Sequence, residues 1–165
     1  MIWQIFVQGL GLIAWVLLVI SYWKEDINKI LLFQLFSGLF YAAHYFLLGA
    51  TEGLLIIIFE LIRDFSYYKT NLDKYIFIGS IPIYIIMGVF SFSGLTSLFP
   101  SFASVIDGFT LVFQKKVAII GAIVSCSLWL VYDFISGSYV GFVTEIIMII
   151  SNYLAFVFDD KEKVN

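Results

Sequence analysis

Hydrophobic positions in this chain run on in long unbroken stretches. Seven apolar segments, about residues 2–23, 29–48, 53–68, 75–92, 95–114, 117–135 and 139–158, are separated by short polar breaks. A helix that spans a membrane needs about 20 mostly apolar residues to cross a hydrocarbon core about 30 Å thick, so each segment is read as a transmembrane helix. The clearest breaks are charged: Lys24-Glu-Asp26, Lys69 to Lys74, Lys115-Lys116 and Asp159-Asp-Lys-Glu-Lys163. The softest is Ser91-Phe-Ser-Gly-Leu-Thr-Ser97, readable as the turn of a helix pair or as a kink in one long broken segment. Pro82 interrupts the fourth segment and Pro100 stands near the start of the fifth.

One stretch occurs twice. Residues 37–64 read SGLFYAAHYFLLGATEGLLIIIFELIRD, and 88 positions later residues 125–152 read SCSLWLVYDFISGSYVGFVTEIIMIISN. Overlaid without gaps, Ser37 meets Ser125, Tyr41 meets Trp129, Phe46 meets Phe134, Gly49 meets Gly137, Gly53 meets Gly141, Ile58 meets Ile146, Ile62 meets Ile150 and Asp64 meets Asn152. The shared Gly-x-x-x-Gly falls where each hairpin must turn, a place that favours residues able to take positive φ. An internal repeat in an apolar chain is a mark of transporter folds, with the binding site expected between the halves.

The basic residues orient the segments. With seven spans, all nine (Lys24, Lys29, Arg63, Lys69, Lys74, Lys115, Lys116, Lys161 and Lys163) fall on one side of the membrane. Basic residues are retained on the cytoplasmic side, which predicts an external N-terminus and a cytoplasmic C-terminus. A count of six or eight spans would scramble this segregation. Segments one to three and five to seven then form two units, and the extra fourth segment restores the same sense to the second. The expected architecture is an all-α integral membrane protein with seven transmembrane helices: two parallel triple-helix bundles, residues 1–70 and 94–158, joined by a linker helix, residues 71–93. Residues 159–165 form a cytoplasmic tail.

Composition agrees with the pattern. The 165 residues are 62% hydrophobic, 19% aromatic and only 13% charged, against about 45–50% apolar and about 25% charged in soluble domains. The first residues, Met-Ile-Trp-Gln, show neither a basic leader region nor a cleavage site, so the first segment is read as a retained helix. The lone Cys126 excludes a disulfide framework. No basic patch suggests nucleic-acid binding. Signatures of hydrolases, zinc proteases and nucleotide-binding enzymes are absent, which argues against an enzyme, and no cofactor is implied.

Charged groups within hydrocarbon are rare and mark function, because insertion costs about 2.5–3.5 kcal/mol each. Glu60, Arg63 and Asp64 lie at spacings i, i+3 and i+4 and share a helix face; they form either an internal ion-paired group, with Arg63 reaching for the headgroups, or part of a site. Asp107 and Glu145 lie within the fifth and seventh segments, and Asn152 lies two turns beyond Glu145. One arginine cannot neutralise Glu60, Asp107 and Glu145 together, so the carboxyls should face inward, where protonation or a water-filled cavity relieves their cost. His44, one turn before Gly49, is read first as a hydrogen-bonded core residue, with a proton-relay role as the alternative; a metal site would want companions that the sequence lacks. The aromatic residues are read as interface belt and packing, with a stacking platform as a second possibility. Gln4, Gln8 and Ser37 are candidates for hydrogen bonds between helices.

Gln8-Gly-Leu-Gly11, His44-Tyr-Phe-Leu-Leu-Gly49, Ile62-Arg63, Gly137-Ser-Tyr-Val-Gly141, Glu145 and Asn152 together resemble the YgjV-type bacterial inner-membrane proteins over nearly the whole chain. That family is itself similar to the group containing the SWEET and SemiSWEET sugar transporters, the PQ-loop proteins and the PnuC carriers. The resemblance implies the same three-plus-one-plus-three layout and an inner-membrane location. In SWEET-like carriers an asparagine on the third helix of each bundle contacts the sugar; Asn152 matches one such place, but its counterpart here is Asp64, which argues against a plain sugar site. The carriers' hinge prolines are also largely missing, Pro100 being the one candidate.

The expected function is a carrier in the lipid bilayer for a small polar solute, neutral or cationic. Asp64 and Asn152 would form the floor of its site, Glu60 and Glu145 its side walls or proton-coupling groups, and Arg63 an internal counter-ion, with His44 and Asp107 as further candidates. The alternative is a receptor or scaffold that uses the same fold without transporting. Association into a homo-oligomer stays open.

Overall fold

The computed structural model describes residues 2–24, 26–70, 73–110 and 115–162. The side chains of Lys69, Lys74, Lys115 and Lys161, and the whole of Lys163, lie outside the described residues. The described chain is all helical: α1 (Ile2–Tyr22), α2 (Ile27–Leu48), α3 (Thr51–Thr70), α4 (Asp73–Phe90), α5 (Phe99–Thr110), α6 (Lys115–Ser136) and α7 (Tyr139–Glu162), with a short 3-10 turn (Leu95–Leu98) ahead of α5. Four of these helices, α1, α2, α6 and α7, are long and apolar enough to cross a membrane. α3 is long enough, but it carries Glu52, Glu60, Arg63 and Asp64.

The fifth segment, expected as one helix over 95–114, begins instead with the 3-10 turn, and the α-helix starts at Phe99. Pro100 fits this start, because its ring is tolerated in the first helical turn, where no backbone N–H is needed; Pro82, expected to interrupt the fourth segment, instead lies within α4, which runs through it. The seventh helix runs on through Glu162, past the expected end of the span.

Helix ends follow local chemistry. Asp26 caps α2, its carboxylate accepting the backbone N–H of Asn28 at 2.8 Å and of Lys29 at 3.3 Å. The two hairpins turn alike. Gly49 has φ 73° and Gly137 has φ 77°, both left-handed. In the first turn the Ala50 N–H reaches back to the Tyr45 carbonyl at 3.0 Å, and in the second the Ser138 N–H reaches the Asp133 carbonyl at 2.9 Å. These bonds close otherwise unpaired carbonyls at a helix end, which hydrocarbon would leave unsatisfied.

The helices close into a ring in chain order. Each packs on the next, α1 closes the circle against α7, and α3 also touches α5. α4 contributes nothing to the central cavity described below, so it packs on the outer side of the α3–α5 seam. Large apolar side chains such as Ile2, Trp3, Phe46, Ile62, Phe65, Phe90, Phe134 and Ile150 face outward. The interior holds Ser21, Ser37, His44, Ser80, Ser104, Ser125, Asp133, Ser138 and Thr144. Small hydroxyls stitch neighbouring helices: Ser37 donates to the Ala14 carbonyl at 2.7 Å across α1 and α2, and Ser125 donates to Asp107 at 2.6 Å across α5 and α6.

Replacing Gly137 by alanine forces a Cβ into a left-handed backbone, at a cost of about 1–2 kcal/mol. Gly9→Ala, where an added Cβ meets nothing within 4 Å, should be neutral or slightly stabilising. Unfolding midpoints in detergent are expected to drop for Gly137→Ala and to hold for Gly9→Ala.

Candidate functional site

A cavity of about 580 Å³ lies inside the ring. Its wall begins at Ile30 and Leu31 in the first turn of α2 and ends at Tyr45 near that helix's last turn. The cavity therefore extends from the end of the molecule that carries Lys24 and Lys29 and stops short of the two glycine turns. Its lining is polar at every level: Gln34 and Ser37 on α2, Glu60, Arg63 and Asp64 on α3, Asp107 on α5, Ser125 and Asp133 on α6, Thr144 and Glu145 on α7. Tyr41, Tyr45 and Trp129 supply aromatic surface.

The acidic groups are held in different ways. Arg63 on α3 is the basic side chain among the lining residues. Its guanidinium Nη2 lies 2.8 Å from Asp64 Oδ1, and its Nη1 donates to the buried Tyr84 hydroxyl on α4 at 2.9 Å. Glu60, one turn before it on the same face, accepts the Ser104 hydroxyl from α5 at 2.8 Å. Asp107 accepts from Ser125, and Asp133 accepts the Tyr45 hydroxyl at 2.7 Å. Glu145 lies beside the Cys126 thiol, but its Oε2 is buried without a hydrogen-bond partner. Among the described residues no three His, Cys, Asp or Glu side chains are placed to hold a metal ion.

Above the cavity a layer of bonds ties the first three helices to the last two. Gln8 donates to the Gly137 carbonyl at 2.8 Å and accepts the Val140 N–H at 3.0 Å. His44 Nε2 lies 2.9 Å from the Ser138 hydroxyl and Nδ1 lies 2.8 Å from the Val7 carbonyl. A carbonyl can only accept, so Nδ1 carries the hydrogen, and Nε2 pairs with the Ser138 hydroxyl, which also hydrogen-bonds Asp133. The Gly53 N–H donates to the Tyr132 hydroxyl at 2.8 Å. Tyr45, Tyr132 and Trp129 pack together here, with the Tyr45 and Tyr132 centroids 6.1 Å apart. A smaller hollow of about 190 Å³, lined by Glu52, Ser93, Tyr132 and Ser136 among others, lies at the glycine turns. Tyr45 walls the larger space and Tyr132 the smaller, so this tyrosine layer divides them.

Of the candidate residues, the cavity gathers Glu60, Arg63, Asp64, Asp107 and Glu145. His44 is 0% exposed and stands behind the wall, fully used in the bond layer. Asn152 is outside the wall, its amide donating to the Met148 carbonyl of its own helix at 2.9 Å, so Asp64 and Asn152 do not meet in the site. Sequence reasoning passed over Asp133, which is 1% exposed and central to the layer. The signal was available: Asp133 is a carboxyl in the last turn of an apolar helix, and in the hairpin overlay it stands over Tyr45, the residue it bonds. The aromatic residues read as packing include three that line the site.

The family model of bacterial inner membrane proteins designated Imp-YgjV matches residues 5–163. The chain belongs to this family. No match is found among curated proteins or solved structures. A bacterial inner membrane family and an apolar exterior over a polar interior agree: this is a membrane protein built for hydrocarbon on its outside.

The Tyr45–Asp133 bond is testable by itself. Comparing Tyr45→Phe, Asp133→Asn and the double variant by reversible unfolding in detergent should give a coupling of about 0.6–1.7 kcal/mol, the range for hydrogen bonds between membrane helices. Additive effects would mean that the two groups do not interact.

Proposed function

We propose that this protein is an inner-membrane carrier for a small polar solute, working by alternating access. The observation that supports this reading most directly is the asymmetry of the interior. The polar cavity extends toward the end bearing Lys24 and Lys29, and at the opposite end it meets a hydrogen-bonded tyrosine layer. A carrier caught open to one side needs that arrangement, whereas a scaffold would be served by a dry, filled interior. The reading assigns no bond-making chemistry to the site.

In this proposal all seven apolar segments span, the fifth counted over 95–114 rather than α5 alone, the N-terminus is external and the C-terminus cytoplasmic, and the basic end faces the cytoplasm. Helices α1 to α3 and α5 to α7 act as two halves in the same sense, with α4 as the linker, as in SWEET-like carriers. The Tyr45–Asp133 bond supports this pairing. Its two residues are 88 positions apart, the same offset that overlays the hairpins. Equivalent positions of two parallel halves can touch only close to the axis that relates them, and bonds near such an axis are suited to break as the halves rock. Glu60, Asp64, Asp107 and Glu145 form the walls of the site, and Arg63 is the internal counter-ion. Asp133 serves as both wall and latch.

The lone cysteine offers a direct test, because Cys126 lines the cavity. A membrane-impermeant methanethiosulfonate should label it from the face bearing Lys24 and Lys29 and much less from the other. Loosening the layer with Tyr45→Phe or Asp133→Asn should raise labelling from the opposite face several-fold. Labelling from neither face, or a pattern blind to these substitutions, would remove alternating access.

A further inference from the structure

Among the described residues that line the cavity, carboxyls outnumber basic side chains. Glu60, Asp64, Asp107, Asp133 and Glu145 all line it, against Arg63 as the basic group among its lining residues. Arg63 is committed to Asp64 and to the Tyr84 hydroxyl, and it pairs electrostatically with Glu60. Asp133 takes the Tyr45 hydroxyl, and Asp107 takes the Ser125 hydroxyl. Glu145 stands apart, for its Oε2 is fully buried with no hydrogen-bond partner. A carboxyl oxygen in that position is missing either a proton or a donor that arrives from the cavity.

The surfaces around Glu145 narrow the choice of donor. Glu145 sits beside Cys126 on α6, and Trp129 follows one turn later on the same helix face. Trp129 and Tyr45 stack with centroids 6.0 Å apart and planes at 27°, and Tyr41 and Tyr45 stack at 6.4 Å and 23°. Together they make an aromatic wall at the closed end of the cavity. Ring faces attract cations, indole most strongly, and the attraction grows when both partners are out of water. An anion would meet five carboxyls. A volume of about 580 Å³ lies within the range of small-molecule pockets, about 300–1,000 Å³.

We infer, building on the carrier reading, that the cavity takes a small organic cation, its charge opposite the Glu145 carboxyl and its apolar groups against Tyr41, Tyr45 and Trp129. The cation supplies a counter-charge to the carboxyl-rich lining, and binding it at the closed end brings it against the Tyr45–Asp133 latch, so that occupancy is felt where the halves meet.

The test uses the full chain in nanodiscs, titrated with choline, with tetramethylammonium and with 3,3-dimethylbutan-1-ol, the uncharged carbon isostere of choline. Binding is followed by tryptophan fluorescence and by calorimetry. Both cations should bind, with the neutral isostere at least tenfold weaker. Glu145→Gln, which keeps the shape and removes the charge, should weaken cation binding at least tenfold without lowering the melting temperature, and Glu145→Asp should recover part of the loss. Trp129→Leu should weaken the cations more than it weakens the isostere. Equal binding of cation and isostere, no binding of either cation, or undiminished binding by Glu145→Gln would overturn the inference. The Cys126 labelling pattern separates the two readings. A cavity that still switches faces but ignores cations removes the organic cation alone, whereas a cavity that does not switch removes the carrier itself.

Discussion

A polar group facing hydrocarbon has nothing to bond with, and most of this structure follows from that. Backbone groups pair within helices, and the two hairpins close their last carbonyls through left-handed glycines rather than through water. Side chains are sorted in the same way. Leucine, isoleucine and phenylalanine face outward, where a soluble protein would place charge, while serines, a histidine and an aspartate occupy the most buried positions. Because lipid tails are as apolar as leucine, burying leucine does little to bring these helices together. Small hydroxyls and interhelical hydrogen bonds take over that task, as Ser37 on the Ala14 carbonyl and Ser125 on Asp107 do.

The same constraint shapes the interior. Carboxyls drawn in from α3, α5, α6 and α7 cannot be packed as apolar bulk, and they line a space rather than fill one. The space is unequal along its length. Toward the glycine turns, Gln8, His44, Tyr45, Gly53 and Tyr132 exchange hydrogen bonds with the opposite helices. Toward the basic end Ser104 on α5 donates to Glu60 on α3. The end at the glycine turns is therefore bolted by this layer. Each bolt taken singly is a modest interaction between membrane helices, and it is the layer as a whole that joins the two sets of helices.

Histidine and glutamine illustrate how a polar residue becomes structural. His44 spends one ring nitrogen on the α1 backbone and the other on Ser138. Gln8 uses both ends of its amide on the second turn, donating to Gly137 and accepting from Val140. Both are committed to the bond layer and neither lines the cavity. Glu145, by contrast, keeps an oxygen without a partner, and that difference separates framework from site more sharply than polarity does.

The sequence by itself determined the environment and the elements. The length of the apolar segments, the charged breaks between them and the repeated Gly-x-x-x-Gly follow from the thickness of hydrocarbon and from backbone sterics, which act locally and can be read residue by residue. Helicity, the hairpin turns and the inward pull on Glu60, Arg63, Asp64, Asp107 and Glu145 were legible for that reason. Only the tertiary structure decided which polar groups meet. It drew Asp133 into a bond with Tyr45, kept Asn152 on its own helix away from Asp64, closed α1 against α7, and divided the interior at a tyrosine layer. Those outcomes depend on the rotation and depth of each helix relative to its neighbours, set by close contacts such as Gly11 against His44 and Gly53 against Tyr132. A pattern of apolar residues on every face leaves that rotation unspecified.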